Sequence, residues 1–187
     1  MQPDTAHGYP AVDDGPSFWF DVRVWIRDVV ISIAIAVVVI VFLYQPVKVE
    51  GTSMMPWLQD QERIFVNKFV YRFEDVRRND IVVFRFPLDP TKSYIKRVVG
   101  LPGDEIELIR GQLYVNGGRV EEPYIPDEFR DLGTYPPLTV PAGSYYVLGD
   151  HRNTSNDSRT WGTVSRDFVV GKAVFAYWPI DRFGVVQ

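Results

Sequence analysis

The longest apolar run in the sequence extends from Val29 to Val47 and contains no charged residue. As a helix, its 19 residues would measure roughly 28 Å, which is close to the hydrocarbon thickness of a bilayer. The aromatic, aliphatic and charged residues from Phe18 to Asp28 are typical of an interfacial segment that leads into such a helix. We therefore predict a lead-in and a single N-terminal transmembrane helix over residues 18–47.

Two other interpretations of this run are less favourable. A buried core helix that is apolar on all sides is unusual in a chain of 187 residues. A cleavable signal sequence would have a basic leader and small residues at its exit, whereas this exit reads Phe42-Leu43-Tyr44-Gln45-Pro46. Residues 1–17 mix proline, glycine, aspartate and small residues without apolar periodicity, which predicts a disordered tail.

Residues 48–187 are numerous enough to form one globular domain with its own core. The formal net charge of −4 provides no basic surface for phosphates, so a nucleic acid partner is not expected. The chain has no cysteine and two histidines, His7 and His151, without metal-ligand spacing. We therefore expect neither a metal site nor a cofactor.

After the apolar run, the sequence changes to short strand-like segments separated by Gly, Pro, Asn and Asp. Asn116-Gly117-Gly118 between two such segments predicts a hairpin, because primed turns need positive φ. The fold class is therefore mostly β, with an antiparallel, barrel-like sheet. Residues 121–141 are rich in proline and charge and predict a long surface excursion. The predicted strands are Arg63–Val70, Asp80–Phe86, Tyr94–Val99, Glu105–Ile109, Gln112–Val115, Tyr145–Leu148 and Phe168–Trp178.

A serine and a lysine are the candidate catalytic residues. Ser53 lies in the segment Glu50–Pro56, and a serine hydroxyl needs a neighbouring base to become nucleophilic. Lys96 lies in the strand-like run Ser93–Val99. A lysine with its ordinary pKa is neutral in roughly one molecule in 2,500 at pH 7, so it could act as a base only if burial lowered that pKa. Strand alternation places apolar neighbours on its face and directs Arg97 towards solvent.

These two segments and the polar segment Gly149–Arg159, in this order behind the apolar run, resemble the motifs of the type I signal peptidases. The resemblance extends from about Val29 to the C-terminus. It implies a membrane-anchored serine endopeptidase that uses a Ser-Lys dyad to remove signal peptides from exported preproteins. In this family Ser53 would attack the scissile carbonyl, Lys96 would accept its proton, and the Ser53 backbone N–H would donate to the oxyanion.

The resemblance also implies roles for residues around the dyad. Ser155 matches a serine that supports catalysis by hydrogen bonding the lysine. Met54 is a candidate for lining a substrate pocket, and a core position is equally open. The residues that would provide structural support of the site are Gly149, Asp150, Asp157 and Arg159.

Three positions depart from the family pattern. Gly51 stands where some members have a hydroxyl that assists the oxyanion hole, so Gly51→Ser is expected to be neutral or activating if φ is negative and strained if φ is positive. His151 replaces the usual asparagine and leaves open a Ser-His-Asp arrangement with Asp150 or Asp157. Trp57 replaces a threonine and could face the membrane or the core.

The resemblance implies that the substrates are preproteins with small residues at positions −3 and −1 before the cut. It also implies a single-pass protein of the cell membrane, with the lipid bilayer as partner and the catalytic domain on the extracytoplasmic side. Charges do not decide this orientation, because Arg23 and Arg27 on one flank are matched by Lys48 and Arg63 on the other.

Three other functions remain open from the sequence. The chain could be a Ser-Lys protease of another purpose, such as the self-cleaving repressors, although no DNA-binding part is evident. It could be a catalytically silent, membrane-anchored β domain that acts in assembly, which would not need Ser53 or Lys96. It could also be a binding module for envelope polymers, which would be expected to show a row of exposed aromatic residues.

Overall fold

The computed structural model describes residues 18–186, so the tail predicted over residues 1–17 lies outside the described residues. The chain divides into two compact units, residues 1–41 and residues 42–187. Helix α1 spans Phe18–Leu43. In the described range, no helix combines the length and the apolar character needed to cross a membrane.

The predicted helix was too long at its C-terminal end. Helix α1 ends at Leu43, and the next residues form strand β1, Tyr44–Lys48. Pro46 explains the change, because proline disfavours helical conformation in the residue before it and cannot donate the helical hydrogen bond. β1 lies at the edge of its sheet, where a proline costs no ladder hydrogen bond.

The second unit is built from antiparallel strands, which confirms the predicted mostly β fold. The remaining strands are β2 Arg63–Asn67, β3 Ile81–Phe86, β4 Asp89–Gly100, β5 Glu105–Ile109, β6 Gln112–Val115, β7 Gly118–Arg119, β8 Tyr135–Thr139, β9 Ser144–Leu148, β10 Val164–Ser165, β11 Val169–Trp178 and β12 Gly184–Val185. Two short helices, α2 Val70–Phe73 and α3 Ser158–Trp161, complete the domain together with the 3-10 turns Asp127–Phe129, Arg166–Phe168 and Ile180–Arg182.

The strands form two sheets. The larger has the order β1-β2-β11-β3-β4-β9-β10, with β12 paired to β11, and the smaller has the order β7-β6-β5-β8. Because β1 and β10 are the two ends of this order, the larger sheet of the described residues is open, which fits the predicted antiparallel sheet more closely than a barrel. The predicted hairpin joins β6 to β7, and Asn116 and Gly117 both have positive φ there.

Residues 121–141 were predicted to form a long surface excursion, but they include a strand and buried residues. They contain β8, which pairs with β5 at the edge of the smaller sheet. Glu122 and Ile125 are buried. The prolines of this segment concealed the strand, because an edge strand tolerates residues that cannot donate to a neighbouring strand.

The order of the strands brings the candidate residues together. β4 carries Lys96 and pairs with β9, with Arg97 opposite Leu148. The polar segment after β9 therefore begins next to Lys96. Ser53 lies in the connection from β1 to β2.

Candidate active site

The nucleophile candidate lies in a short turn held by core residues. Leu58 N donates to Met54 O at 3.0 Å, which closes a single helical turn directly after Ser53. The side chains of Met54 and Leu58 are each 1% exposed and pack in one hydrophobic cluster with Ile64 and Val66. Of the two roles left open for Met54, this burial favours the core position, which holds Ser53 in place.

Lys96 reaches Ser53 directly. Its Nζ lies 2.6 Å from Ser53 Oγ and donates to the carbonyl of Ile95 at 3.1 Å. The lysine is 4% exposed, and its Nζ lies 5.4 Å from the centre of the Tyr94 ring. A serine and a lysine that are 43 positions apart in the sequence therefore form one hydrogen-bonded pair.

The surroundings of Lys96 favour its neutral form. Burial lowers the pKa of the Lys96 ammonium to about 8, and the charges of Asp157 and Asp150 only partly oppose this effect. Desolvation disfavours the charged form of an amine, so a buried lysine becomes a usable base near neutral pH. A neutral Nζ can accept the Ser53 proton, which the protonated form cannot do.

The segment after β9 holds the other side of Ser53. His151 N donates to Ser53 O at 3.1 Å, and Gly149 N donates to Asp157 Oδ2 at 3.1 Å. A side chain at Gly149 has no room, because a Cβ atom there would lie 2.5 Å from Ser53 O and 2.2 Å from Ser155 Oγ. Glycine at this position allows the segment to approach the nucleophile closely.

A network of charged residues holds this segment in place. Arg159 donates to both carboxylate oxygens of Asp157, through Nε at 2.8 Å and through a terminal nitrogen at 2.8 Å. Its other terminal nitrogen donates to Asp131 Oδ2 at 2.7 Å, and both Asp157 and the Arg159 side chain are buried. Buried charges of this kind are tolerated only when they are paired and hydrogen bonded.

A second buried pair corrects the prediction for Arg97. Arg97 is 3% exposed and forms two hydrogen bonds with Asp150, at 2.9 and 2.7 Å. Its guanidinium lies 4.3 Å from the centre of the Tyr124 ring. The expectation that Arg97 faces solvent was wrong, because strand alternation specifies opposite faces and both faces of β4 are covered here.

A cleft of about 610 Å³ opens beside Ser53 and Lys96. The cleft is lined by residues Val47–Ser53, which begin at the end of β1, and by Lys92–Lys96 of β4. Thr154 and Asn156 contribute to the lining. Among residues 18–186, no group of His, Asp and Glu side chains is suited to hold a metal ion.

Comparison with known proteins places this site in a family. Residues 22–178 match the family described as signal peptidase, peptidase S26. The chain belongs to this family. It is 39% identical over 167 residues to signal peptidase I P of Bacillus subtilis subsp. natto, with 84% of this chain and 90% of that protein covered.

A second relative agrees with this assignment. The probable signal peptidase I-2 of a Synechocystis species is 38% identical over 168 residues, covering 86% of this chain and 75% of that protein. A solved structure of a signal peptidase I from Enterococcus faecalis V583 is 32% identical, covers 53% of this chain and 97% of that chain, and superposes with a TM-score of 0.47. As a family member, the protein is a serine endopeptidase that cleaves signal peptides.

Ser155 has a buried hydroxyl without a partner. Its Oγ forms no hydrogen bond with any group in the described part of the signal peptidase chain, so the hydrogen bond to Lys96 that the resemblance implied is not formed. The hydroxyl lies close to Gly149: a Cβ atom added at that glycine would be 2.2 Å from Ser155 Oγ. A buried hydroxyl without a hydrogen bond is unfavourable, which makes Ser155 Oγ available to a neighbouring group.

The structure does not assemble a Ser-His-Asp triad. The ring Nδ1 of His151 lies 3.1 Å from Thr52 O rather than beside Ser53 Oγ, which Lys96 occupies. Trp57 is 46% exposed, and its Nε1 donates to Tyr124 O at 2.6 Å. This hydrogen bond therefore joins the turn formed by residues 53–58, here called the nucleophile turn, to residues 121–141.

Several residues that support the site carry no recognisable signal in the sequence. Glu122 and Arg152 form a buried ion pair. A guanidinium nitrogen of Arg182 donates to the carbonyls of Pro56 and Trp57 at 3.0 and 2.8 Å, at the end of the nucleophile turn. No local sequence signal could identify these contacts, because the partners are 30 and about 125 positions apart.

Gly51 has a φ of +90°, and its N–H donates to Asp60 Oδ1 at 2.8 Å. We expect Gly51→Ser to lower the single-turnover cleavage rate several-fold, because positive φ strains an L-residue by about 1 kcal/mol or more. Gly51→Asn is the matched comparison, since asparagine tolerates positive φ better. A Gly51→Ser enzyme faster than wild type would contradict this expectation and would indicate that the added hydroxyl assists the reaction.

Proposed function

We propose that Ser53 is the nucleophile and Lys96 the general base of this signal peptidase. The observation that supports this proposal most strongly is the 2.6 Å contact between Lys96 Nζ and Ser53 Oγ, made by a lysine that is 4% exposed. The cost of burying an ammonium is large, and a structural lysine would more commonly extend its head to water.

In the acylation step, neutral Lys96 takes the proton of Ser53 while Oγ attacks the scissile carbonyl carbon. The carbonyl oxygen becomes an oxyanion, to which the Ser53 backbone N–H donates a hydrogen bond. The tetrahedral intermediate collapses when the protonated Lys96 gives its proton to the leaving amine. The mature protein departs and the signal peptide remains as an ester on Ser53.

In the deacylation step, Lys96 accepts a proton from a water molecule that attacks the ester. The second tetrahedral intermediate breaks down, and Ser53 regains its proton from Lys96. Ser155 Oγ forms no hydrogen bond in the described part of the chain, and in this mechanism it turns to Lys96 Nζ and orients the neutral amine. Asp157 and Arg159 act indirectly, because they hold the segment that carries Ser155.

The cleft accounts for the class of substrate. Residues 92–96 on one side of the cleft belong to the extended strand β4, so a signal peptide could lie along them as an additional strand, with alternate side chains directed into the cleft. Val47, Val83 and Ile95 give the cleft apolar surface near Ser53. We propose that this surface accepts small side chains at positions −3 and −1 of the preprotein.

Cleavage of a preprotein by the purified full-length chain in detergent tests the substrate assignment. We expect one cut after the small residue at position −1, identified by mass spectrometry of both products. A matched preprotein with phenylalanine at −1 is expected to remain uncut. Equal cleavage of both preproteins would contradict the proposed specificity.

We further propose that α1 attaches the enzyme to the cell membrane, with the β domain on the extracytoplasmic side. The support is the exposure of its aliphatic side chains: Ile33 and Ile35 are each 59% exposed, and the residues from Val29 to Leu43 carry no charge. An exposed apolar surface of this kind is unfavourable in water. The protein is expected to stay with membranes after alkaline extraction, and its release into the supernatant would contradict attachment.

A further inference from the structure

One residue, His151, contacts both peptide carbonyls that flank the nucleophile. Its backbone N–H donates to Ser53 O at 3.1 Å. Its ring Nδ1 lies 3.1 Å from Thr52 O. These two carbonyls stand on either side of the Ser53 Cα atom, so His151 restrains the backbone on both sides of the nucleophile.

The ring contact specifies where the imidazole proton lies. A carbonyl oxygen can only accept a hydrogen bond, so Nδ1 must carry a proton to form this contact. The Phe129 ring meets the imidazole edge to face, with 4.3 Å between ring centres and 72° between planes. This packing restricts rotation of the His151 ring and keeps Nδ1 directed at Thr52 O.

The carbonyl of Thr52 belongs to the same peptide group as the N–H of Ser53. In a trans peptide the C=O and N–H bonds point in opposite directions, so a donor that holds the carbonyl also fixes the direction of the N–H on the other side. A hydrogen bond to a carbonyl also polarises its peptide group and strengthens the N–H as a donor. Within residues 18–186, the Ser53 N–H has no hydrogen-bond partner, so it remains available to an oxyanion.

We propose that His151 is a positioning residue of the oxyanion hole: it orients and polarises the Thr52–Ser53 peptide group, so that the Ser53 N–H stabilises the developing negative charge. This role rests on the proposed function of Ser53. It also fits the absence of a side-chain hydroxyl at Gly51, whose own N–H is bound to Asp60. When fewer groups donate hydrogen bonds to the oxyanion, the strength of the hydrogen bond from the Ser53 N–H has more influence on the rate.

Two substitutions separate the hydrogen bond from the packing of the ring. His151→Phe keeps an aromatic ring against Phe129 and removes the donor. His151→Asn removes the ring and keeps an N–H, because asparagine Nδ2 is the same number of bonds from Cβ as histidine Nδ1. We expect His151→Phe to lower kcat about 10-fold or more with KM within about twofold of wild type. We expect His151→Asn to retain most of kcat.

Asn153→Ala is a control for general loosening of the segment. Its side chain donates to Glu128 O at 2.9 Å and does not contact the nucleophile turn. This variant is expected to cleave at nearly the wild-type rate. The inference is overturned if His151→Phe keeps the wild-type kcat, if Asn and Phe variants are equally impaired, or if Asn153→Ala is as slow as His151→Phe.

A readout without turnover distinguishes this inference from the proposed function. The amide proton resonance of Ser53, observed by ¹H–¹⁵N NMR in detergent, is expected to move upfield in His151→Phe and to stay close to its wild-type position in His151→Asn. This shift would be expected even if the wild-type enzyme cleaved no preprotein, a result that would refute only the proposed function. An unchanged Ser53 resonance in His151→Phe would refute the role of His151 in polarising this peptide.

Discussion

Ser53→Ala is expected to lower the single-turnover rate of preprotein cleavage by a factor of about 10⁴ or more, since no other group could form the acyl-enzyme. The change removes one hydroxyl from a turn whose position is set by the buried side chains of Met54 and Leu58. The fold should therefore remain intact, and the thermal unfolding midpoint should stay close to that of wild type.

Ser165→Ala is a suitable control for the loss of a serine hydroxyl. Ser165 Oγ accepts a hydrogen bond from Asp167 N at an exposed turn, and this serine is not among the residues that line the cleft. Its cleavage rate should equal that of wild type. Preprotein cleavage by Ser53→Ala at more than about 1% of the wild-type rate would be incompatible with Ser53 as the nucleophile.

Lys96→Met is expected to abolish cleavage while stabilising the folded protein at pH 7. Folding lowers the pKa of Lys96 from 10.5 to about 8, so the ammonium form is less favourable in the folded state than in the unfolded chain. At pH 7, most Lys96 is protonated in both states, and each unit of pKa difference corresponds to about 1.36 kcal/mol. Removing the amine should raise the free energy of unfolding by up to about 3 kcal/mol.

The sign of the pH dependence provides a second readout. Between about pH 8 and 10.5, the unfolded wild-type chain binds more protons than the folded protein at this residue, so the free energy of unfolding should rise with pH. This rise should be absent in Lys96→Met.

Lys96→Arg should also be inactive in preprotein cleavage, because guanidinium stays protonated. Lys68→Met removes a lysine that is not among the residues lining the cleft, and it should retain both activity and the rise.

Local patterns were sufficient to predict most of the strands. The boundaries of β5 and β6 agree with the prediction, and Asn116 and Gly117 have the positive φ that their turn requires. β8 was missed because Pro136 and Pro137 are typical of loops, and only pairing with β5 makes this segment a strand. Edge strands depend on their partners more than on their own sequence.

The contact between Ser53 and Lys96 could be predicted because both residues lie in local motifs, whereas the contacts that support them connect distant parts of the chain. Nothing near Glu122 or Arg152 in the sequence indicates that they pair. The burial of Arg97 and Met54 depends on how both faces of the domain are covered, which residue alternation does not specify. The φ of Gly51 was likewise left open, since glycine adopts positive and negative φ with similar ease.

The identity of the general base is tested most directly by titrating Lys96 and the cleavage rate in the same protein. In ¹³C NMR of protein labelled at lysine Cε, the Lys96 resonance is the one missing from Lys96→Met, and its titration gives the pKa of the amine. The rate of single-turnover cleavage, measured between pH 5 and 11, gives the pKa of the general base. Both titrations are expected to have a midpoint near 8, with the rate rising as one proton is lost. A Lys96 resonance that titrates at about 10.5 while the rate rises near about 6.5, the ordinary pKa of histidine, would contradict the assignment of Lys96 as the base.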